Sequence, residues 1–121
     1  MDARLYVSRL SGTATVPPSK SAAHRAVLCA ALADGVSHIT NIEYSQDIRA
    51  TLGAAAQLGA KIQEEPHSLT ITGRGNASGF VTVTRPVFCN ESGSTLRFMI
   101  PLFSLTAQKV RFTGTGRLFD R

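Results

Sequence analysis

The spacing of apolar and polar residues along the 121-residue chain switches period several times. Residues 4–10 and 12–16 alternate weakly and predict two short strands. Residues 36–42, Val-Ser-His-Ile-Thr-Asn-Ile, alternate clearly and are rich in β-branched side chains, as a half-buried strand is. Between these lies an apolar run from 26 to 33. It predicts a helix capped by Ser19 or Ser21 and ended by Asp34-Gly35. A second helix is predicted over 44–58, with Ile48, Leu52, Ala55, Ala56 and Leu58 on its apolar side and Gly59 at its end. Residues 61–65 and 68–72 read as two strands of a hairpin around Pro66-His67. Three glycines make 73–79 a loop. The pattern then restarts. Residues 80–84 predict a strand, 89–95 a loop and turn, 96–105 an apolar helix and 109–113 a strand. Pro101 lies inside that helical run, where it either kinks the helix or marks a later start.

The restart brings chemistry with it. Pro17-Pro18 stiffens the approach to Ser19-Lys20-Ser21, and Arg25 follows Ser21 by four residues, on the same side of a helix. The free N–H groups of a first helical turn, a lysine and an arginine are together the parts of a phosphate or carboxylate pocket. The alternative for this segment is a capped helix with a solvated Lys and Arg. About 73 residues later, Ser92-Gly93-Ser94 with Arg97 again precedes an apolar helix and a strand. Two such segments form a weak internal repeat of a βαβαββ unit, about one and a half units long, and favour the anion pocket. The chain stops in a Gly-rich turn, Gly114 to Arg121, inside the second unit, which predicts a piece of a longer protein.

Composition narrows the ligand. The chain has the length of one domain, with 43% hydrophobic and 17% charged residues. No apolar run reaches the roughly 20 residues that span a bilayer, and no signal-peptide core precedes the first strand, so a cytoplasmic location with no membrane partner is expected. The net charge is +5, from ten Arg and three Lys against eight acidic residues. Arg suits fork-shaped bonding to carboxylates and phosphates. Nucleic acid is not expected as a partner, because the basic residues are scattered and stacking aromatics are few. Cys29 and Cys89 have no metal-type spacing, and Cys29 reads as a buried small hydrophobe.

Five motifs resemble the 5-enolpyruvylshikimate-3-phosphate synthase family, in order and at about its spacing. They are Pro18-Ser19-Lys20-Ser21-x-x-x-Arg25; Thr40-Asn41-Ile42; Ser45-Gln46-Asp47-Ile48-Arg49 with Leu58-Gly59-Ala60; Asn90-Glu91-Ser92-Gly93-Ser94-Thr95-Leu96-Arg97; and Gly114-x-x-Arg117-x-x-x-Arg121. The resemblance implies an α/β chain forming part of the N-terminal domain of a two-domain enzyme with six βαβαββ units, helices inside and sheets outside. It implies that the first 15 or so residues pack with the other domain. The implied reaction moves the enolpyruvyl group of phosphoenolpyruvate onto the 5-hydroxyl of shikimate 3-phosphate, with no metal and no cofactor. Residue by residue, the resemblance assigns Lys20, Ser21 and Arg25 to shikimate 3-phosphate. It assigns Lys20, Gly93, Ser94, Arg97 and Arg121 to phosphoenolpyruvate, and Lys20 with Asp47 to catalysis.

The sequence departs from the family in the phosphoenolpyruvate loop, where either Glu91 stands at the usual Asn or the register differs by one. A carboxylate there repels an anionic ligand unless it points away or pairs with an Arg. Two other functions compete: a UDP-N-acetylglucosamine enolpyruvyl transferase, which usually has Asn after the lysine, and a non-catalytic anion- or nucleic-acid-binding module. Other residues have plainer expectations. His24 lies on the helix surface or packs, Glu64-Glu65 is a solvated strand end, Arg49 pairs locally with Asp47, and Arg111 is solvated. An unfinished second unit leaves an uncovered edge, which predicts self-association, and half a cleft predicts no turnover by this chain alone.

Overall fold

The computed structural model describes residues 2–4, 6, 7, 9, 11–75, 82–106 and 108–120. Its helices are started by serines in extended backbone. In α1 (Lys20–Leu32), the Ser19 hydroxyl accepts the Ala22 N–H at 3.3 Å. In α2 (Gln46–Gln57), Ser45 accepts from Ile48 at 3.3 Å. In α3 (Gly93–Ser104), Ser92 accepts from Thr95 at 3.1 Å. Each cap satisfies one of the four N–H groups that a helix start leaves without a partner.

Three strands form an antiparallel sheet: β1 (Val36–Thr40), β2 (Lys61–Glu65) and β3 (Ser68–Thr72), in the order β1-β3-β2. The register puts Ser37, Ile71 and Ile62 in one row and Ile39, Leu69 and Glu64 in the next. The apolar members of these rows pack on Val27, Ile48, Leu52 and Ala55 of the helices. The opposite face is polar, with His38 Nδ1 2.9 Å from Thr70 Oγ1 across the strands. Alternation along β3 thus sorts one face to the core and one to water.

The restarted pattern gives a second layer. β4 (Val87–Phe88) runs parallel to β5 (Phe112–Thr113), and α3 makes the crossover between them. Val87, Cys89, Met99 and Phe103 pack there with Leu28, Ala54, Leu58 and Leu118, and the Phe103 ring meets Phe112 edge-on at 5.8 Å. The helix α2 serves both layers, since Ile48 and Leu52 face the first cluster while Ala54 and Leu58 face the second. Its alanines let α1, α3 and β4 come close. A short 3-10 helix, Gly116–Asp120, follows β5 and contributes buried Leu118.

Several expectations change. The described residues of 4–10 and 12–16 form no strand, and Val16 is exposed, because an alternating segment becomes a strand only where a partner offers its edge. Residues 82–84 are irregular, and the rest of the predicted strand 80–84 lies outside the described residues. The predicted strand 109–113 is reduced to Phe112–Thr113, and its partner β4 was not foreseen. Cys29 is exposed, because Arg25, Cys29 and Leu32 line up on the outer face of α1 while Val27, Leu28, Ala30 and Ala31 turn inward. Ala56 is likewise exposed, outside the apolar face of α2. Pro101 sits in the last turn of α3, where few helical bonds remain to be lost.

Candidate functional site

The starts of α1, α2 and α3 border one another. Lys20, the first residue of α1, forms an ion pair with Asp47 in the first turn of α2, with Nζ 2.5 Å from Oδ2. The lysine is half exposed and the carboxylate is largely covered, at 54% and 25% side-chain accessibility. This pair forms one side of a cavity of about 300 Å³. Ser92, Gly93, Ser94, Leu96 and Arg97 of the α3 start form another, and Glu91 and Leu118 complete it. A second hollow of about 240 Å³, lined by Pro18, Ser19, Ala23, Glu43 and Ser45, meets the first at Lys20.

The structure therefore brings together Lys20, Asp47, Gly93, Ser94 and Arg97. Ser21 in the first turn of α1 and Arg25 one turn further are exposed, outside the lining of that cavity. They share a side of the helix as their spacing predicts, and Arg25 Nη1 donates to the Ser21 carbonyl at 3.2 Å. Arg121 lies outside the described residues. Two cations, Lys20 and Arg97, face an opening onto which the positive starts of two helices converge. That arrangement suits an anion with more than one charge.

Glu91 keeps its charge at the cavity wall, but one of its carboxylate oxygens is engaged elsewhere. Its Oε1 accepts the backbone N–H of Arg117 at 2.7 Å, so that oxygen is spent on the first turn of the 3-10 helix. Gly116 makes this possible. Its φ is +53°, and a Cβ there would meet Glu91 Oε1 at 1.9 Å. Asn90, also at positive φ (52°), ties the same loop down. Its carbonyl accepts Thr115 N–H at 3.0 Å, its Oδ1 accepts the Thr115 hydroxyl at 2.8 Å, and its Nδ2 donates to Gln46 Oε1 at 3.1 Å.

Behind the cavity lies a polar row that the sequence did not announce. His24 of α1, Thr51 of α2 and Thr95 of α3 are all buried, and Nδ1 of His24 is 2.7 Å from Thr51 Oγ1. Thr51 Oγ1 is 2.7 Å from Thr95 Oγ1, which is 2.7 Å from Ser92 Oγ. Burial pushes the His24 pKa down. The carboxylate of Asp47 opposes that shift, and Lys20 and Arg25 reinforce it. Burial also raises the thiol pKa of Cys89. Away from the site, Arg49 pairs with Glu64 of β2 at 3.0 Å and lies 5.1 Å from the centre of the Tyr44 ring, rather than pairing with Asp47. Glu64 is therefore not a free strand end: its row of the sheet faces α2. Arg111 is exposed, as expected.

Among the described residues no helix is long and apolar enough to cross a membrane, and no cluster of His, Cys, Asp and Glu could hold a metal ion. The family model for EPSP synthase (3-phosphoshikimate 1-carboxyvinyltransferase) matches residues 6–121. A 3-phosphoshikimate 1-carboxyvinyltransferase of Clostridium beijerinckii is 48% identical over 122 residues, covering 98% of this chain and 28% of that protein. One from Clostridioides difficile is 43% identical over 125 residues, with 98% and 29% covered. The solved EPSP synthase of Acinetobacter baumannii superposes with a TM-score of 0.80 at 30% identity, over 91% of this chain and 25% of that one. The chain thus spans little more than a quarter of the length of the relatives it matches. On the strength of the match over residues 6–121 and of the shared fold, this chain belongs to the EPSP synthase family.

Proposed function

We propose that the chain forms one wall of the active-site cleft of a cytoplasmic enzyme that transfers the enolpyruvyl group of phosphoenolpyruvate to the 5-hydroxyl of shikimate 3-phosphate. The observation that carries this reading is the cavity in which the Lys20–Asp47 pair faces Gly93, Ser94 and Arg97. Lys20 borders both hollows, so one ammonium can touch both substrates. Ser21 and Arg25 extend the shikimate 3-phosphate side along α1. Gly93, Ser94, Arg97 and Arg121 take phosphoenolpyruvate, Arg97 by forked bonds and Gly93 by letting the backbone come close.

In the reaction, the 5-hydroxyl gives up its proton to a base as its oxygen bonds to C2 of phosphoenolpyruvate, and the methylene carbon gains a proton, so that the C2–C3 double bond becomes single. The tetrahedral adduct then loses phosphate as a proton leaves the methyl group, which restores the double bond. Lys20 stabilises negative charge that develops between the substrates. Asp47 holds the ammonium in place before they bind and takes part in moving protons.

The remaining reacting groups lie in the rest of the enzyme, so this chain binds but does not turn over. The test is a calorimetric titration of shikimate 3-phosphate into the chain, with shikimate and inorganic phosphate as controls. Saturable binding that needs both ring and phosphate, and is lost in Lys20→Ala and Arg25→Ala, is expected. Binding of shikimate 3-phosphate no tighter than of phosphate, and unchanged in both variants, would overturn the assignment of α1.

A further inference from the structure

The row His24–Thr51–Thr95–Ser92 crosses three helices and ends on a residue that lines the cavity. His24, Thr51 and Thr95 are 0–2% exposed, so water does not supply them with missing partners. Each hydroxyl has a single proton, which limits the directions the row can take. Two arrangements run one way through all four residues, and in mixed ones the Asp47 carbonyl takes the proton of Thr51 or Thr95 while Ser92 donates inward.

In one, His24 Nδ1–H donates to Thr51, Thr51 to Thr95 and Thr95 to Ser92, which leaves the Ser92 proton free to point into the cavity. In the other, every bond reverses. Ser92 then donates inward, Thr51 donates to Nδ1, and the proton of His24 sits on Nε2. The far nitrogen decides between them. His24 Nε2 is buried and has no hydrogen-bond partner. The first arrangement leaves a bare lone pair there. The second leaves an N–H donor with no acceptor, which is the rarer and more costly defect in a protein interior. The last bond has Thr95 Oγ1 donating to Ser92 Oγ, which excludes the reversed and mixed runs and leaves the Asp47 carbonyl, 3.2 Å from Thr51 Oγ1 and 3.4 Å from Thr95 Oγ1, as a secondary acceptor. Ser92 Oγ also accepts the Thr95 N–H, which occupies it further as an acceptor and leaves its proton to be given outward.

We propose that Ser92 donates a hydrogen bond to the anion held between Lys20 and Arg97, and that His24, Thr51 and Thr95 are positioning residues that set the direction of its hydroxyl. The ligand class is a phosphate or carboxylate group, phosphoenolpyruvate on the reading given above, and the donor role of Ser92 rests on that reading. The direction of the row does not, and can be measured without any ligand.

The experiment has two parts, both on this chain. A long-range 1H–15N spectrum of the histidine rings at pH 7.5 is expected to show His24 protonated on Nδ1 and bare on Nε2. The opposite tautomer would overturn the proposal, because the row would then run away from the cavity. The second part titrates inorganic phosphate, and then phosphoenolpyruvate, into variants followed by amide shifts of Gly93 and Ser94. Ser92→Gly keeps a residue accepted at a helix cap and removes the hydroxyl; about tenfold weaker binding is expected. Thr95→Val cuts the row and leaves the cap intact. A loss of about threefold is expected, restored by Thr95→Ser. Ser92→Gly binding phosphate as tightly as the wild type would refute the donor role. Failure of the wild-type chain to bind either anion would sink the anion-site reading and the donor role with it, while the tautomer would still decide the direction of the row.

Discussion

Replacing Asp47 by Asn separates two effects that the ion pair with Lys20 combines. The cavity is lined by two cations, Lys20 and Arg97, and two carboxylates, Asp47 and Glu91, so its side chains carry no net charge. Asp47→Asn leaves it with one positive charge. An anion oxygen touching Lys20 Nζ lies about 5 Å from the Asp47 carboxylate, taking two contact distances end to end across the ammonium. At that separation in water each unit charge is repelled by about 0.8 kcal/mol, or about 1.7 kcal/mol for a dianion. Screening at physiological salt roughly halves this, to about 0.9 kcal/mol, or about fivefold in affinity. The variant is therefore expected to bind inorganic phosphate about fivefold more tightly at 0.15 M salt, and by a larger factor in dilute buffer. Stability should move the other way. Asp47 loses a favourable position in the first turn of α2 and a partly exposed ion pair, together about 1 kcal/mol. On the function proposed above, transfer by the whole enzyme should fall by about 100-fold or more, since Lys20 would lose the group that aims it and the proposed proton carrier would be removed. The assays are phosphate calorimetry at two salt concentrations and urea unfolding. Phosphate binding that is unchanged or weaker in Asp47→Asn would refute this, and would mean that the carboxylate helps to hold the anion through Lys20 rather than opposing it.

Three further changes test the scaffold. Gly73→Ala would place a Cβ 2.2 Å from the Ala33 carbonyl and 2.4 Å from that of Ala30, both backbone atoms at the end of α1. A loss of about 1–3 kcal/mol in urea unfolding is expected, whereas an unchanged midpoint would mean that the 73–75 turn can move off α1. Phe103→Ala empties the centre of the second cluster, where the ring is 1% exposed, and should cost about 3–5 kcal/mol. A loss below about 1 kcal/mol would mean that α3 is not anchored there. For His24, the unfolded chain takes up a proton near pH 6.5 while the folded chain resists until lower pH. Its contribution is complete above about pH 6.5 and is lost as the pH falls toward the folded value, by up to about 1.4 kcal/mol per pH unit. Unfolding curves from pH 7.5 to 5 should show this slope in the wild type and a smaller one in His24→Asn; equal slopes would count against it.

Most of the regular structure could be read from local signals. The three helices are each announced by an apolar stripe, the first also by a serine cap, and the hairpin over 61–65 and 68–72 appears with the predicted bounds. What local signals could not supply was pairing. Residues 12–16 and 109–113 both read as short strands, yet only the latter segment yields one, because Val87–Phe88 offers it an edge. That edge is two residues long and sits behind Pro86, too short for alternation to show. Exposure on helices failed for a related reason. Cys29 lies within an apolar run but on the one face of α1 that nothing covers, and the run does not say which of its faces will be met.

The site divides along the same line. Lys20, Gly93, Ser94 and Arg97 could be found because each belongs to a short motif at a helix start, and a helix start is a local event. Asp47 could be found as part of a motif, but its partner could not, since the ion pair to Lys20 joins α2 to α1. The polar row behind them is harder still. His24, Thr51 and Thr95 are separated by 27 and 44 residues, and each alone reads as an unremarkable polar residue on a helix. Their meaning comes from α2 packing between α1 and α3, which brings the three side chains to one buried line. A buried hydroxyl on an apolar helix must find a partner or carry the cost of having none. Thr51 on a helix otherwise lined with Ile48, Leu52, Ala54 and Ala55 was therefore the one available sign that something polar had to face it. Which residue that was, and that the line would end on the cap of α3, depended on the tertiary arrangement alone.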